Sequence, residues 1–231
     1  MYSYTVSETE QNEINDAYEK IVATTSNFIK SLDNQNIFED FFSCVFLLFD
    51  GFLSSTHTFT KDANYDYVFF QDLNFSLYPF NGIGCCRHTS ELLLYLFQKL
   101  GYPAEYACCE LSEIPINRPL QRNHVVLECH PNHFMFFFDL INWNIGIKKG
   151  NQIISWKKDC WYRFQEKDYM VHNIKWKEIT QMYNNVYQKL KLKTEELTKF
   201  YENIATDLET ISRIIKKYET YQSLQIKYVY E

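Results

Sequence analysis

Gly84-Cys85-Cys86-Arg87-His88-Thr89-Ser90-Glu91-Leu92-Leu93-Leu94-Tyr95-Leu96, running on to Leu100-Gly101-Tyr102-Pro103-Ala104, is the stretch on which the reading of this chain turns. A glycine-containing loop, Asn81 to Gly84, opens onto a helix that begins with a thiol. Leu92, Leu93, Leu96, Phe97 and Leu100 recur at helical spacing and give that thiol a buried mount. Gly101, with Pro103 beyond it, is a stop signal, so the spacing predicts a helix over Cys86–Leu100. Peptide N–H groups in a first helical turn are unpaired and carry partial positive charge. They favour thiolate over thiol, and the Cys86 N–H can donate to an oxyanion. Such a thiol still needs a base.

The base is sought among six histidines. His124 opens the strand-like run His124-Val125-Val126-Leu127-Glu128-Cys129. His130-Pro131-Asn132-His133 follows as a type I turn, and Phe134-Met135-Phe136-Phe137-Phe138-Asp139 runs back. A hairpin centred between Pro131 and Asn132 sets His124 directly opposite Asp139, the separation at which a carboxylate orients an imidazole. A slip of one residue would destroy that pairing.

These residues resemble the transglutaminase-like cysteine protease superfamily, whose core motif is a Gly-x-Cys helix start ending in Leu-Gly-Ile/Tyr-Pro-Ala. Gly84-Cys85-Cys86 and Leu100-Gly101-Tyr102-Pro103-Ala104 match it, and the spacing selects Cys86 over Cys85. Ser90 stands where the family has a small Ala or Ser facing the sheet, Asn123-His124 matches the opening of the second motif, and Asp139 matches its Asp. The resemblance covers about residues 82–141 and implies Cys86 as nucleophile, His124 as general base and Asp139 as orienter. It implies an α+β fold with a papain/transglutaminase-like core, a Cys-bearing helix packed on a small antiparallel sheet.

Around that core the chain divides into an N-terminal helical segment (1–55), the catalytic-type core (56–165) and a C-terminal segment (166–231) read as a long helix or helical hairpin. Ile14, Tyr18, Ile21, Val22, Phe28 and Ile29 make an amphipathic face, and Ile37 to Leu53 is apolar nearly all round, as in a buried helix. Short β-like runs are read at 104–111, 124–129, 134–141 and 152–156, with a rim loop at 112–123 holding Pro115 and Pro119. From about Lys167 the chain has no Gly or Pro. Tyr183, Leu190, Leu197, Ile204, Ile211 and Tyr218 recur every seventh residue, with a weak point at Lys193-Thr194. The stripe packs on the chain's own core, or forms a homodimer or partner-protein interface.

The 231 residues carry a net charge of −6 with no dense Lys/Arg block, which argues against nucleic acid as partner. Hydrophobic residues at 46% exclude a disordered chain. Met1 to Gln11 is polar and acidic and does not read as a secretory signal. The apolar run Phe41 to Leu53, interrupted by Asp50 and Gly51, is too short to span a bilayer. A soluble cytoplasmic protein is expected, export without a signal being the alternative. Seven cysteines, two pairs of them adjacent, suit reduced thiols better than a disulfide scaffold.

No cofactor and no metal are expected. His130-x-x-His133 beside Cys129 looks like a ligand cluster only superficially, since a hairpin turn explains it equally well. Cys85, Cys108, Cys109 and Cys129 read as packing thiols. Tyr78 and Asn81 are candidates for an upstream oxyanion donor. The expected activity is attack on an amide carbonyl of a peptide or protein through a Cys thioester, peptidase-type, with acyl transfer where an amine replaces water. The alternative is a catalytically silent scaffold that binds a partner through its C-terminal helix.

Overall fold

Helix α1 (Glu8–Ser31) begins where Ser7 closes its first turn: the Ser7 hydroxyl accepts from the Glu10 N–H and donates to the Glu10 carboxylate. Helix α2 (Ile37–Cys44) begins the same way at Asn36, whose side-chain oxygen accepts from the N–H groups of Phe38 and Glu39, both at 3.1 Å. It continues as a π-helical turn, Val45–Phe49, so the apolar run expected as one helix changes winding within itself. Helix α3 (Cys86–Leu100) ends as its sequence requires. Gly101 takes φ +96°, the Tyr102 N–H bonds the Phe97 carbonyl at 2.9 Å and the Gly101 N–H bonds the Gln98 carbonyl at 3.0 Å. The computed structural model describes residues 7–49, 86–113, 121–131, 135–140, 144–149, 152–155, 160–164, 167–173 and 177–229.

Seven strands follow α3: β1 (Ala104–Glu113), β2 (Gln121–Cys129), β3 (Met135–Asp139), β4 (Asn144–Lys149), β5 (Gln152–Ser155), β6 (Cys160–Phe164) and β7 (Lys167–Asn173). They close into a barrel in the order β1-β2-β3-β4-β5-β7-β6, antiparallel throughout except for β5 with β7. The chain is α+β, but the small antiparallel sheet expected from the sequence is here a barrel. Closure removes the two open edges a small sheet would have. Strands β4 and β6 fall where the sequence suggests none, and two further segments differ from expectation. Lys167–Asn173, expected at the start of the helical tail, is a strand whose Tyr169 and Val171 alternate at period two. The expected rim loop at 112–123 gives up its ends to β1 and β2.

The strands' two faces differ. Leu127, Cys129, Phe138 and Ile145 join the helices in one core with Leu93, Leu96 and Phe97 of α3. Phe138 stacks on Phe41 of α2 at 4.8 Å and lies 5.2 Å from Phe97. The alternate residues Val126, Glu128, Phe137, Asp139 and Gly146 turn the other way, to the inside of the barrel. There the Phe137 ring lies over Gly146, where a Cβ would fall within the ring itself.

Helix α4 (Lys177–Leu192) and helix α5 (Thr194–Val229) are separated by Lys193 alone, at the weak point of the seven-residue stripe. The stripe packs inward: Val186, Leu190, Phe200, Ile204, Ile211 and Ile214 are buried in the same core as α1. Arg213 pairs with Glu13 at 2.9 Å and Phe28 meets Phe200 at 5.1 Å, so α5 runs antiparallel along α1. Lys189 holds α4 to the α1–α2 corner. Its ammonium donates to Glu39 at 2.9 Å, to the Asp33 carbonyl at 3.1 Å and to Asn34 at 3.2 Å. Next to it Tyr102 donates to Asp40 at 2.6 Å. Burial, then that bond, push the Tyr102 hydroxyl well above its ordinary range. Among the described residues, no helix is long and apolar enough to cross a membrane.

Candidate active site at the barrel rim

Helix α3 lies lengthwise on β1 and β2, and two hydrogen bonds fix its direction. Just past its C-terminal end, the His130 N–H bonds the Pro103 carbonyl at 3.0 Å, beside the pair Ala104↔Cys129 that opens the β1–β2 ladder. Near its N-terminal end, the Ser90 hydroxyl donates to the Val125 carbonyl at 3.2 Å. Helix rise carries Ser90 to Leu100 about 15 Å, and strand rise carries Val125 to Cys129 about 13 Å, so the two elements run in step. Cys86 opens α3 one turn before Ser90 and on the same helix face, about 6 Å further along. His124 is one residue beyond Val125, about 3.3 Å further in the same direction. The start of the thiol-bearing helix and the histidine-bearing end of β2 therefore share one end of the barrel.

The β2–β3 register corrects the sequence expectation. Leu127 pairs with Phe138, Glu128 with Phe137 and Cys129 with Phe136. Carried one step further, Asp139 falls beside Val126, so Asp139 and His124 are offset by two residues instead of directly opposed. The connection is longer than the two-residue turn expected at Pro131-Asn132: β2 ends at Cys129 and β3 begins only at Met135. An offset of two preserves the face. Asp139 lies on the inner wall, two residues along the ladder from the position opposite His124. Asp139 is 1% exposed, and its near neighbours on that wall include Val126 and Phe137, both buried.

A bulge sits beside the histidine. Cys109 pairs with His124, but the next pair is Leu111↔Gln121, so Arg122 and Asn123 of β2 together face Glu110 of β1. Such an insertion twists the strand and re-aims the residues next to it, here at the rim under the start of α3. The chain matches no family model, no curated protein and no solved structure.

Two residues not selected from the sequence stand opposite the predicted pair in the ladders. Cys109 is the direct cross-strand partner of His124, and Asn144 of Asp139. Only the barrel topology exposes them, since both pairings depend on strand boundaries that hydrophobic alternation leaves open. The side chains of Cys86, His88 and His124 lie outside the described residues, as do Tyr78, Asn81, Cys85, His133 and Trp143.

The opposite end of β1 and β2 holds a different cluster. His130 Nε2 lies 3.1 Å from a Glu105 oxygen and 3.6 Å from a Glu128 oxygen, and the three groups' ligand-type atoms fall within 4.8 Å of one another. Glu105 is exposed and Glu128 buried. Cys129, weighed with His130 as a ligand, turns away from this cluster into the helix-facing core. Burial first, then Glu128, push its thiol far above the ordinary range, which makes it a packing residue. Cys44 is likewise buried and raised.

Proposed function

We propose that this chain is a cysteine hydrolase of transglutaminase-like type, in which Cys86, His124 and Asp139 cleave an amide bond of a peptide or protein substrate. The observation that carries the reading is the alignment of α3 on β2, which brings the helix start at Cys86 to the barrel end where β2 carries His124. In this reading His124 takes the proton of the Cys86 thiol, and Asp139 holds the imidazole in the tautomer that can do so. The thiolate attacks the carbonyl carbon, a C–S bond forms and the carbonyl π electrons move onto oxygen. N–H groups at a helix start, which lack intrahelical partners in any α-helix, are suited to stabilise that oxyanion. Collapse breaks the C–N bond, and the amine leaves with the proton held by His124. Water, deprotonated by His124, then hydrolyses the thioester to a carboxylic acid and restores the thiol. An amine in place of water gives acyl transfer.

The test is turnover of an unbiased peptide library by wild type, Cys86→Ala and His124→Ala, each checked for folding by circular dichroism. Cleavage lost in both variants is the expected outcome. Cleavage retained without either side chain would sink the proposal.

A further inference from the structure

Catalysis by a thiol and an imidazole on separate elements requires that the two elements keep their register. Helix α3 is packed along its length by Thr89, Leu92, Leu93, Leu96 and Phe97, all buried, and is stopped by Gly101. Apolar packing is non-directional and does not by itself fix where along a strand a helix sits, whereas a hydrogen bond does. The bond from Ser90 to Val125 is such a link. It leaves α3 one turn after Cys86, on the same helix face, and lands on the residue next to His124. Ser90 is 2% exposed. A small side chain there satisfies packing whether or not it bears a hydroxyl; the hydroxyl adds a directional link between the two chemistry-bearing elements.

We infer that Ser90 is a positioning residue which fixes the start of α3 against β2 and so sets the approach of Cys86 to His124. The inference rests on the reading of Cys86 and His124 as a catalytic pair. It assigns Ser90 no contact with substrate.

The test is the pH dependence of Cys86 alkylation by iodoacetamide, mapped by peptide mass spectrometry in the full chain, for wild type, His124→Ala, Ser90→Ala and Ser90→Thr. Alanine fills the same space and is the best helix former, so Ser90→Ala removes the link and leaves the helix. The expected wild-type midpoint lies below the ordinary thiol value of about 8.5 and rises in His124→Ala. In Ser90→Ala the midpoint shifts upward, with alkylation at pH 6 slowed about fivefold, the factor one neutral hydrogen bond is worth. Ser90→Thr, which keeps the hydroxyl, restores the wild-type midpoint. A role in stability alone would lower the melting temperature without moving the midpoint. A low, His124-dependent wild-type midpoint left unchanged by Ser90→Ala overturns the inference and leaves the catalytic reading intact. A wild-type midpoint at the ordinary value, indifferent to His124→Ala, overturns both.

Discussion

Replacing Lys189 with methionine tests whether charge locks α4 to the α1–α2 corner. The ammonium donates to Glu39, Asp33 and Asn34, and Glu39 is 3% exposed. Methionine keeps most of the apolar stem, so the loss is the charge and its three bonds. Removing one partner of a buried ion pair costs about 3–5 kcal/mol, because the other charge stays behind unpaired. Glu39 retains the Gln35 N–H at 3.1 Å, and the lysine side chain is 28% exposed, so the lower end applies. A loss of about 3 kcal/mol in a chain of this size lowers the melting temperature by about 6–12 °C.

The pH dependence carries a second signature. Burial alone pushes the Glu39 carboxyl up, but its bonds to Lys189 and Gln35 outweigh that, and it lies below its ordinary value of 4.5. A carboxyl depressed in the folded state contributes stability that is present above its unfolded pKa and lost as pH falls through the folded one. Without Lys189 burial dominates and the folded pKa rises above the unfolded value, so uptake of a proton favours folding. The gap between variant and wild type should therefore narrow as pH falls from 7 toward 4. Urea unfolding followed by circular dichroism over that range measures it, with Glu39→Gln and the double variant completing a cycle. A gap constant with pH, or single penalties that simply add in the double variant, would refute the reasoning.

Three further predictions concern the core and the wall. Phe138→Ala should cost about 3–5 kcal/mol in urea unfolding, because the ring fills the junction between Phe41, Phe97 and Phe38; a loss under about 1 kcal/mol would mean that α2 and α3 do not meet on β3. Gly146→Ala should cost about 1–3 kcal/mol or more by driving a Cβ into the Phe137 ring, and Phe137→Leu should recover part of it; a neutral Gly146→Ala would place the ring elsewhere. Asp139→Asn replaces the carboxyl of a buried site with an amide of the same shape, so turnover of a cleaved peptide should fall at least about a hundredfold in a chain that still folds; unaltered turnover would remove Asp139 from the mechanism.

What the sequence made legible were elements with strong local signals. The start and stop of α3 follow from Cys86 and Gly101, and the inner face of α1 from Ile14, Tyr18, Ile21, Val22 and Ile29, all buried as their spacing requires. The weak point at Lys193-Thr194 in the seven-residue stripe is where α4 gives way to α5. Barrel closure was not legible, for a physical reason. β6 and β7 are short and flanked by Lys and Asp, and their place is set by pairing with β1 and β5, distant in sequence. No local pattern encodes such a pairing. The partner of the helical stripe is also a tertiary fact: α1 and α5 each present a half-apolar surface, and only their antiparallel packing covers both.

The error in the β2–β3 register shows which kind of mistake a candidate site survives. The turn chemistry of Pro131-Asn132 favours a tight hairpin, yet β2 ends at Cys129 and β3 begins at Met135. Side chains alternate with period two, so a slip of one residue would have sent Asp139 to the helix-facing side. The observed offset of two keeps Asp139 on the inner wall and replaces direct opposition to His124 with a two-residue offset along the ladder. The bulge at Arg122-Asn123 adds local twist to β2 immediately beside His124. Removing that bulge by deleting Asn123 would return the strand end to regular pairing with β1. On this argument the deletion abolishes cleavage in a chain that still folds, and a fully active deletion variant would show that the re-aiming of His124 is not required.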